Sequence, residues 1–200
     1  MKNYYKNLFL ETVNNLQEKK SILLHSCCGP CSSYVIQYLS NWFDITVIYY
    51  NPNISPDREY FKRKEEQIRL INDLGKGKFL DCDYDNEVFE RAIRGTENEP
   101  EGGKRCSRCF RIRLEKCASV AKEMGFDFFC STLTVSPYKN AEVINMIGHG
   151  VGERYGVKWL YSDFKKDNGY KESIELSKKF NLYRQNYCGC KYSERKETDN

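Results

Sequence analysis

Five short apolar runs, separated by stretches of helical periodicity, limit what this chain can fold into more than any other feature. They lie at residues 21–25, 44–50, 78–82, 127–132 and 156–161, and are mostly β-branched or aromatic. Turn residues such as Asn51-Pro52-Asn53 bound them, as they bound strands. The first helix is expected over residues 1–19, carrying Tyr5, Leu8, Leu10, Val13 and Leu16. Others are expected over 32–39, from Ser55-Pro56-Asp57 to Gly75 or Gly77, over 86–94, over about 105–124, from Ser136-Pro137 onward, and over 171–180. Ser55 reads as an N-cap with Pro56 at the first helical position, and Phe61, Ile68, Ile71 and Leu74 as that helix's apolar face. Phe110, Leu114, Cys117, Ala121 and Met124 form a core stripe on the long helix at 105–124. Strands alternating with helices predict an α/β fold with a mostly parallel sheet covered on both faces. Two hundred residues suit one domain, 1–200, with the charged end 191–200 frayed.

Ser26-Cys27-Cys28-Gly29-Pro30-Cys31 falls where the first strand ends and a helix begins. In open α/β sheets that crevice binds ligands, and backbone N–H groups at a helix start favour anions, thiolates included. The chain holds ten cysteines and only two histidines, His25 and His149. The N-terminus has no signal-peptide apolar region, and no run of eighteen apolar residues exists, so a cytoplasmic protein without a membrane span is expected. In that compartment many cysteines point to metal or redox work rather than structural disulfides. With so few histidines, the metal would be thiolate-bound, either zinc or iron–sulfur.

The thiols form three groups: Cys27-Cys28 with Cys31, Cys106-x-x-Cys109 at the start of the long helix, and Cys188-Gly189-Cys190 near the C-terminus. Cys82, Cys117 and Cys130 sit on strands or on the core stripe and read as small buried hydrophobes. The seven grouped cysteines lie in turns and helix starts beside Gly, Pro and Arg, which buried structural thiols do not favour. Spaced pairs suit a four-cysteine site for zinc or Fe–S. An adjacent pair, whose side chains diverge, leans toward a multi-iron cluster. The one-residue gap of Cys188-Gly189-Cys190 would make a small strained disulfide ring, suited to two-electron shuttling or to a second metal. Around the middle group, Lys104, Arg105, Arg108, Arg111, Arg113 and Lys116 are the densest cationic stretch, able to draw phosphates or simply to form a solvated helix face. Lys62-Arg63-Lys64, followed by Glu65-Glu66, reads as i,i+4 pairing on an exposed helix. The formal net charge of +4 permits a nucleic-acid partner.

Five segments carry a family likeness: Leu24–Cys31, Tyr49–Ile54, Arg105–Arg111, Ser131–Pro137 and Tyr187–Cys190. Together they resemble the QueH-type, cobalamin-independent epoxyqueuosine reductases. The resemblance implies a HUP-like, Rossmann-like fold in which thiols stand where related nucleotide-binding members carry a phosphate loop, which argues against ATP use. It implies removal of the epoxide oxygen of epoxyqueuosine in tRNA, the last step of queuosine synthesis. Cys27, Cys28, Cys106 and Cys109 would hold a [4Fe-4S] cluster, and Cys188 and Cys190 would be the redox-active pair. Some members add a mononuclear iron bound by cysteines and an acidic residue; Cys31 stands near that residue's place, either as a replacement ligand or as a spectator. Arg105, Arg108 and Arg111 would bind the anticodon stem-loop, and Tyr49, Tyr50 or Phe110 would stack the splayed base, although strand-end packing explains the tyrosines equally well. An electron donor is implied as a further partner. The competing readings are a four-cysteine zinc module that binds RNA without catalysis, and an ATP-dependent tRNA thiolase.

Overall fold

The computed structural model describes residues 3–194. Five parallel strands form one sheet in the order β3-β2-β1-β4-β5: β1 (Lys20–His25), β2 (Phe43–Ile48), β3 (Lys78–Leu80), β4 (Phe128–Ser131) and β5 (Lys158–Trp159). Ile22, Leu23 and Leu24 of β1 and all of β4 are buried, as strands covered on both faces must be. The helices are α1 (Tyr4–Asn14), α2 (Gly29–Leu39), α3 (Asp57–Leu74), α4 (Asn86–Ile93), α5 (Lys104–Glu123), α6 (Ala141–Tyr155) and α7 (Gly169–Lys179). Contacts group α2 with α3 and α7, and α5 with α4 and α6, giving a layer on each face of the sheet. The strand order reverses beside β1, so the C-terminal ends of β1 and β4 open the crevice where such sheets bind ligands. No helix among the described residues is long and apolar enough to cross a membrane.

Several boundaries differ from expectation. The first helix stops at Asn14 instead of residue 19. Ser55 lies outside α3, Pro56 takes the N-cap place, and neither caps with a side chain. The α3 face is rotated: Tyr60, Arg63, Gln67, Leu70 and Ile71 are buried, while Phe61 is exposed. Ser136-Pro137 opens no helix. A 3-10 turn at Thr132–Val135 precedes it, and α6 starts after Asn140, whose Oδ1 accepts from the N–H groups of Glu142 and Val143 at 2.9 and 3.3 Å. The segment expected to fray is held as far as Ser193: Lys191 pairs with Glu90 at 3.1 Å, Tyr192 donates to the same carboxylate at 3.1 Å, and Lys191–Ser193 form a 3-10 turn. Residues 195–200 lie outside the described part.

Candidate metal centre

The loop from β1 to α2 is fixed from both sides. Cys28 is extended, and Pro30 lies in the first turn of α2, where its missing N–H costs nothing. Ser32 donates to the Cys28 carbonyl at 2.9 Å and Ser33 to that of Pro30 at 2.9 Å. From the end of β4, Thr132 Oγ1 accepts the Cys27 N–H at 3.2 Å and donates to Cys27 Sγ at 3.4 Å. The outcome is a tight triad: the sulfurs of Cys27, Cys28 and Cys31 all lie within 4.8 Å of one another, with Cys27 and Cys28 at 3.8 Å. Thiol hydrogen bonds from Cys28 and Cys31 pull the Cys27 pKa well below the usual thiol value. The same sharing pushes Cys28 and Cys31 up. A metal bound here would displace the thiol protons.

Below the triad the polar groups are interlocked. His25, fully buried, is held neutral, its pKa lowered to about 3 by burial and then by the Arg113 guanidinium. His25 Nε2 lies 3.2 Å from Arg113 Nε and 3.1 Å from the Tyr50 carbonyl, and its Nδ1 lies 2.8 Å from Ser131 Oγ. Arg113 Nη2 donates to Asn51 Oδ1 at 2.6 Å, Asn51 Nδ2 donates to the Ser26 carbonyl at 2.9 Å, and Arg113 Nη1 lies 3.9 Å from Cys109 Sγ. One buried arginine thus joins the end of β1, the end of β2 and the second thiol group.

The second and third groups face each other. Cys106 Sγ accepts the Gly102 N–H at 3.2 Å at the start of α5. Cys109 is buried, and burial pushes its thiol to about 12. Cys190 packs with Cys109, Phe89 and Ile93. The Cys188–Cys190 turn is held by Arg63 Nη1, donating to the Cys188 carbonyl at 3.1 Å, and by the Ser55 N–H, donating to the Gly189 carbonyl at 2.9 Å. Gly189 has φ +118°, and a Cβ there would come within 2.8 Å of Arg63 Nη1, so only glycine suits this position. Cys188 lines a pocket of about 150 Å³ with Cys27, Cys28 and Cys31, and a second hollow with Cys106, Cys109 and Cys190. It is the one cysteine that lines both hollows.

Of the expected surface contacts, Arg108 and Arg111 are exposed on α5, with Arg108 donating to the Arg94 carbonyl at 2.7 Å. Arg105 is not at the surface: it is buried and donates to the carbonyls of Glu97 and Glu99, tying down the loop before α5. Arg113 is likewise buried. Tyr49 is 0 % exposed and packs on Tyr60 at 5.3 Å between ring centres, so it has no face for a base; Tyr50 and Phe110 are buried too. Arg63 does pair with Glu59 at i,i+4, at 2.6 Å, but inside the protein rather than on an exposed face. Cys117 and Cys130 are buried in the core, as their surroundings in the sequence imply. Two pocket residues escaped the sequence reading. Tyr138 stands at the rim, 72 % exposed. Lys139 lies against the thiols: burial works against its ammonium, but the charges of Cys188, Cys27 and Cys31 outweigh it and keep it protonated. The motif segment Ser131–Pro137 ends one residue short of Tyr138, and only its nearness to that segment could have drawn attention to the pair.

The donor set is all thiolate, which suits iron and zinc over hard cations. The Cys27 and Cys28 sulfurs stand 3.8 Å apart, the spacing of two ligands on one tetrahedral ion with bonds of ~2.3 Å; as ligands of two irons of one cluster they would spread farther apart. Seven thiols around two hollows exceed what a single ion needs.

Residues 22–196 match the family described as epoxyqueuosine reductase QueH. The epoxyqueuosine reductase QueH of Streptococcus pyogenes serotype M1 is 46% identical over 180 residues, covering 88% of this chain and 71% of that protein. That of Thermotoga maritima is 37% identical over 182 residues, covering 88% and 93%. Among solved structures, the U34-tRNA thiolase NcsA from Methanococcus maripaludis with its [4Fe-4S] cluster superposes with a TM-score of 0.58 at 13% identity, over 96% of this chain and 68% of that one. A predicted tRNA methyltransferase subunit from Methanocaldococcus jannaschii gives 0.54 at 15%, over 80% and 74%. At such identity these two likenesses speak to the Rossmann-like fold alone. The extent and identity of the family matches place the chain in the epoxyqueuosine reductase QueH family of oxidoreductases.

Proposed function

We propose that this chain removes the epoxide oxygen of epoxyqueuosine in the anticodon of tRNA, leaving the alkene of queuosine. The observation that carries this reading is the placement of seven thiols, from segments 27–31, 106–109 and 188–190, around two hollows that Cys188 lines in common, at the sheet's switch point. The reaction needs two electrons and two protons, with the oxygen leaving as water. Cys27, Cys28, Cys106 and Cys109 would hold a [4Fe-4S] cluster, and Cys31, closest to the adjacent pair, would hold an additional iron. When bound, such a group supplies single electrons and a Lewis acid for the epoxide oxygen. Cys188 and Cys190 supply the matching pair: closing a disulfide between them releases two electrons and two protons. Lys139 keeps a positive charge beside the thiol pocket, favouring the Cys27 thiolate.

Recognition is assigned to the rim. Arg108 and Arg111, with the exposed Lys104 and Lys116 along α5, would take the anticodon phosphates. The stacking role given to Tyr49 in the sequence passes to Tyr138, which has the open face that Tyr49 lacks. The setting is the cytoplasm, where thiols stay reduced until an electron donor resets the pair. The experiment is direct. Anaerobic protein, a chemical reductant and epoxyqueuosine-bearing tRNA are combined, and the digested nucleosides are analysed. Queuosine formed in proportion to enzyme supports the reading. Unchanged epoxyqueuosine with iron-loaded protein contradicts it, and stoichiometric zinc would favour an RNA-binding zinc module.

A further inference from the structure

Four of the seven buried side-chain polar atoms without a partner among the described residues are Tyr49 Oη, Asn53 Oδ1, Arg63 Nη2 and Gln67 Nε2; Arg63 and Gln67 are bonded to the thiol-bearing segments, and Asn53 lines the hollow of Cys106, Cys109 and Cys190. A buried donor left without an acceptor costs about 1–3 kcal/mol, so native folds rarely keep one, and a cluster of them marks a place completed by something else. Each residue is fixed by its other contacts. Arg63 spends Nε on Glu59 and Nη1 on the Cys188 carbonyl. Gln67 Oε1 accepts from Ser26 Oγ at 2.5 Å and Ser32 Oγ at 2.8 Å, the two serines that bracket the thiol triad. Arg63 and Gln67 are one helical turn apart on α3, and Tyr49 follows the end of β2. What remains free on these three is a set of N–H and O–H donors that cannot rotate away.

Gln67 is tied to the serines on either side of the triad and Arg63 to the Cys188 carbonyl. Burial raises the Tyr49 hydroxyl, and a negative charge at Cys28 adds to it. For Arg63, after burial and the bond to Glu59, the Cys28 charge is the next influence. Asn53, the one acceptor, lines the adjoining hollow with Cys106, Cys109, Cys188 and Cys190.

We propose that Tyr49, Arg63 and Gln67 form a preset hydrogen-bond shell for the sulfurs of the metal centre on its Cys28 side, and so set its reduction potential. The inference rests on the thiols holding an iron–sulfur centre. Reduction adds negative charge to the sulfurs, and donors aimed at them stabilise the reduced form. These are positioning residues, whose loss would move the potential.

The test is an EPR-monitored reductive titration of anaerobically loaded wild type, Tyr49→Phe and Tyr60→Phe. Tyr60 is the control, because its hydroxyl already donates to the backbone carbonyls of Tyr49 and Cys82, at 3.4 and 3.2 Å. Tyr49→Phe is expected to make the centre harder to reduce by about tenfold in the one-electron equilibrium, about 59 mV, without lowering the melting temperature. Tyr60→Phe is expected to lower the melting temperature and leave the potential in place. Gln67→Met should move the potential in the same direction, and decides the matter if Tyr49→Phe does not load. Equal potentials in wild type and the Tyr49 or Gln67 variants overturn the shell. A wild-type chain that takes up no iron overturns the metal reading and the shell with it.

Discussion

Asn145 and the Tyr49–Gln67 side of the thiol pocket are both buried polar regions near the ends of strands, and they are built in opposite ways. Asn145 Nδ2 donates to the carbonyls of Ala141 and Ser162, both at 2.8 Å, and its Oδ1 accepts from Trp159 Nε1 at 3.0 Å and the Ser162 N–H at 3.1 Å. Every bond that amide can make is made. In the second, Tyr49, Asn53, Arg63 and Gln67 each leave a buried atom unpartnered. The first region finishes itself and holds the β5 edge together. The second is complete only when something binds, and the difference marks the second as the working part of the fold.

The widest separation between the two regions should appear in turnover. Cys188→Ser should abolish conversion of the tRNA nucleoside while shifting the urea midpoint little, because the Arg63 bond is to the backbone carbonyl at 188. Retained turnover would remove Cys188 from the chemistry. Asn145→Leu should do the reverse. Orphaning the Trp159 and Ser162 donors should cost about 3 kcal/mol in urea unfolding, with turnover per folded molecule unchanged. Tyr138→Ala at the pocket rim should raise the KM for tRNA by roughly the 1–3 kcal/mol of one stacked base, about fivefold to 150-fold, and leave kcat nearly unchanged. An unmoved KM would leave the rim without its stacking residue.

The smallest effect should come from the N-terminal end of the central strands, opposite the crevice. Hydrogen bonds from Ser21 Oγ, at 2.7 Å, and the Ser21 N–H, at 2.9 Å, hold the Asp127 carboxylate below its ordinary pKa of 3.8. The unfolded chain therefore takes up this proton at a higher pH than the native one. The contribution is full above that ordinary value and is lost as pH falls through the depressed folded one. Asp127→Asn should flatten acid unfolding in that window and do nothing at pH 7 to the pH dependence of activity.

The sheet was legible because parallel strands must be apolar on both faces and their crossover helices must carry stripes, so Ile22–Leu24 and Phe110–Leu114–Cys117 announce themselves. The thiol groups were legible from spacing alone. The face of α3 was not. Periodicity counts apolar residues, and this helix buries Arg63 and Gln67 because they serve the pocket, so the apolar stripe appeared displaced toward Phe61. Tyr49 reads identically in sequence whether it faces solvent or, as here, the interior. Arg105 and Arg113 looked like phosphate contacts because a one-dimensional charge run does not say which side of α5 each cation takes. Tyr138 and Lys139 lie in a loop with no periodicity to place them.

The centre itself is tested most directly by measuring iron, acid-labile sulfide and zinc in protein purified without oxygen, together with its visible spectrum. The account predicts a brown protein with iron and sulfide in cluster proportions, iron in equal amount or in slight excess, and little zinc. It also predicts loss of that iron in Cys106→Ser. A colourless protein carrying one zinc and no sulfide would contradict it.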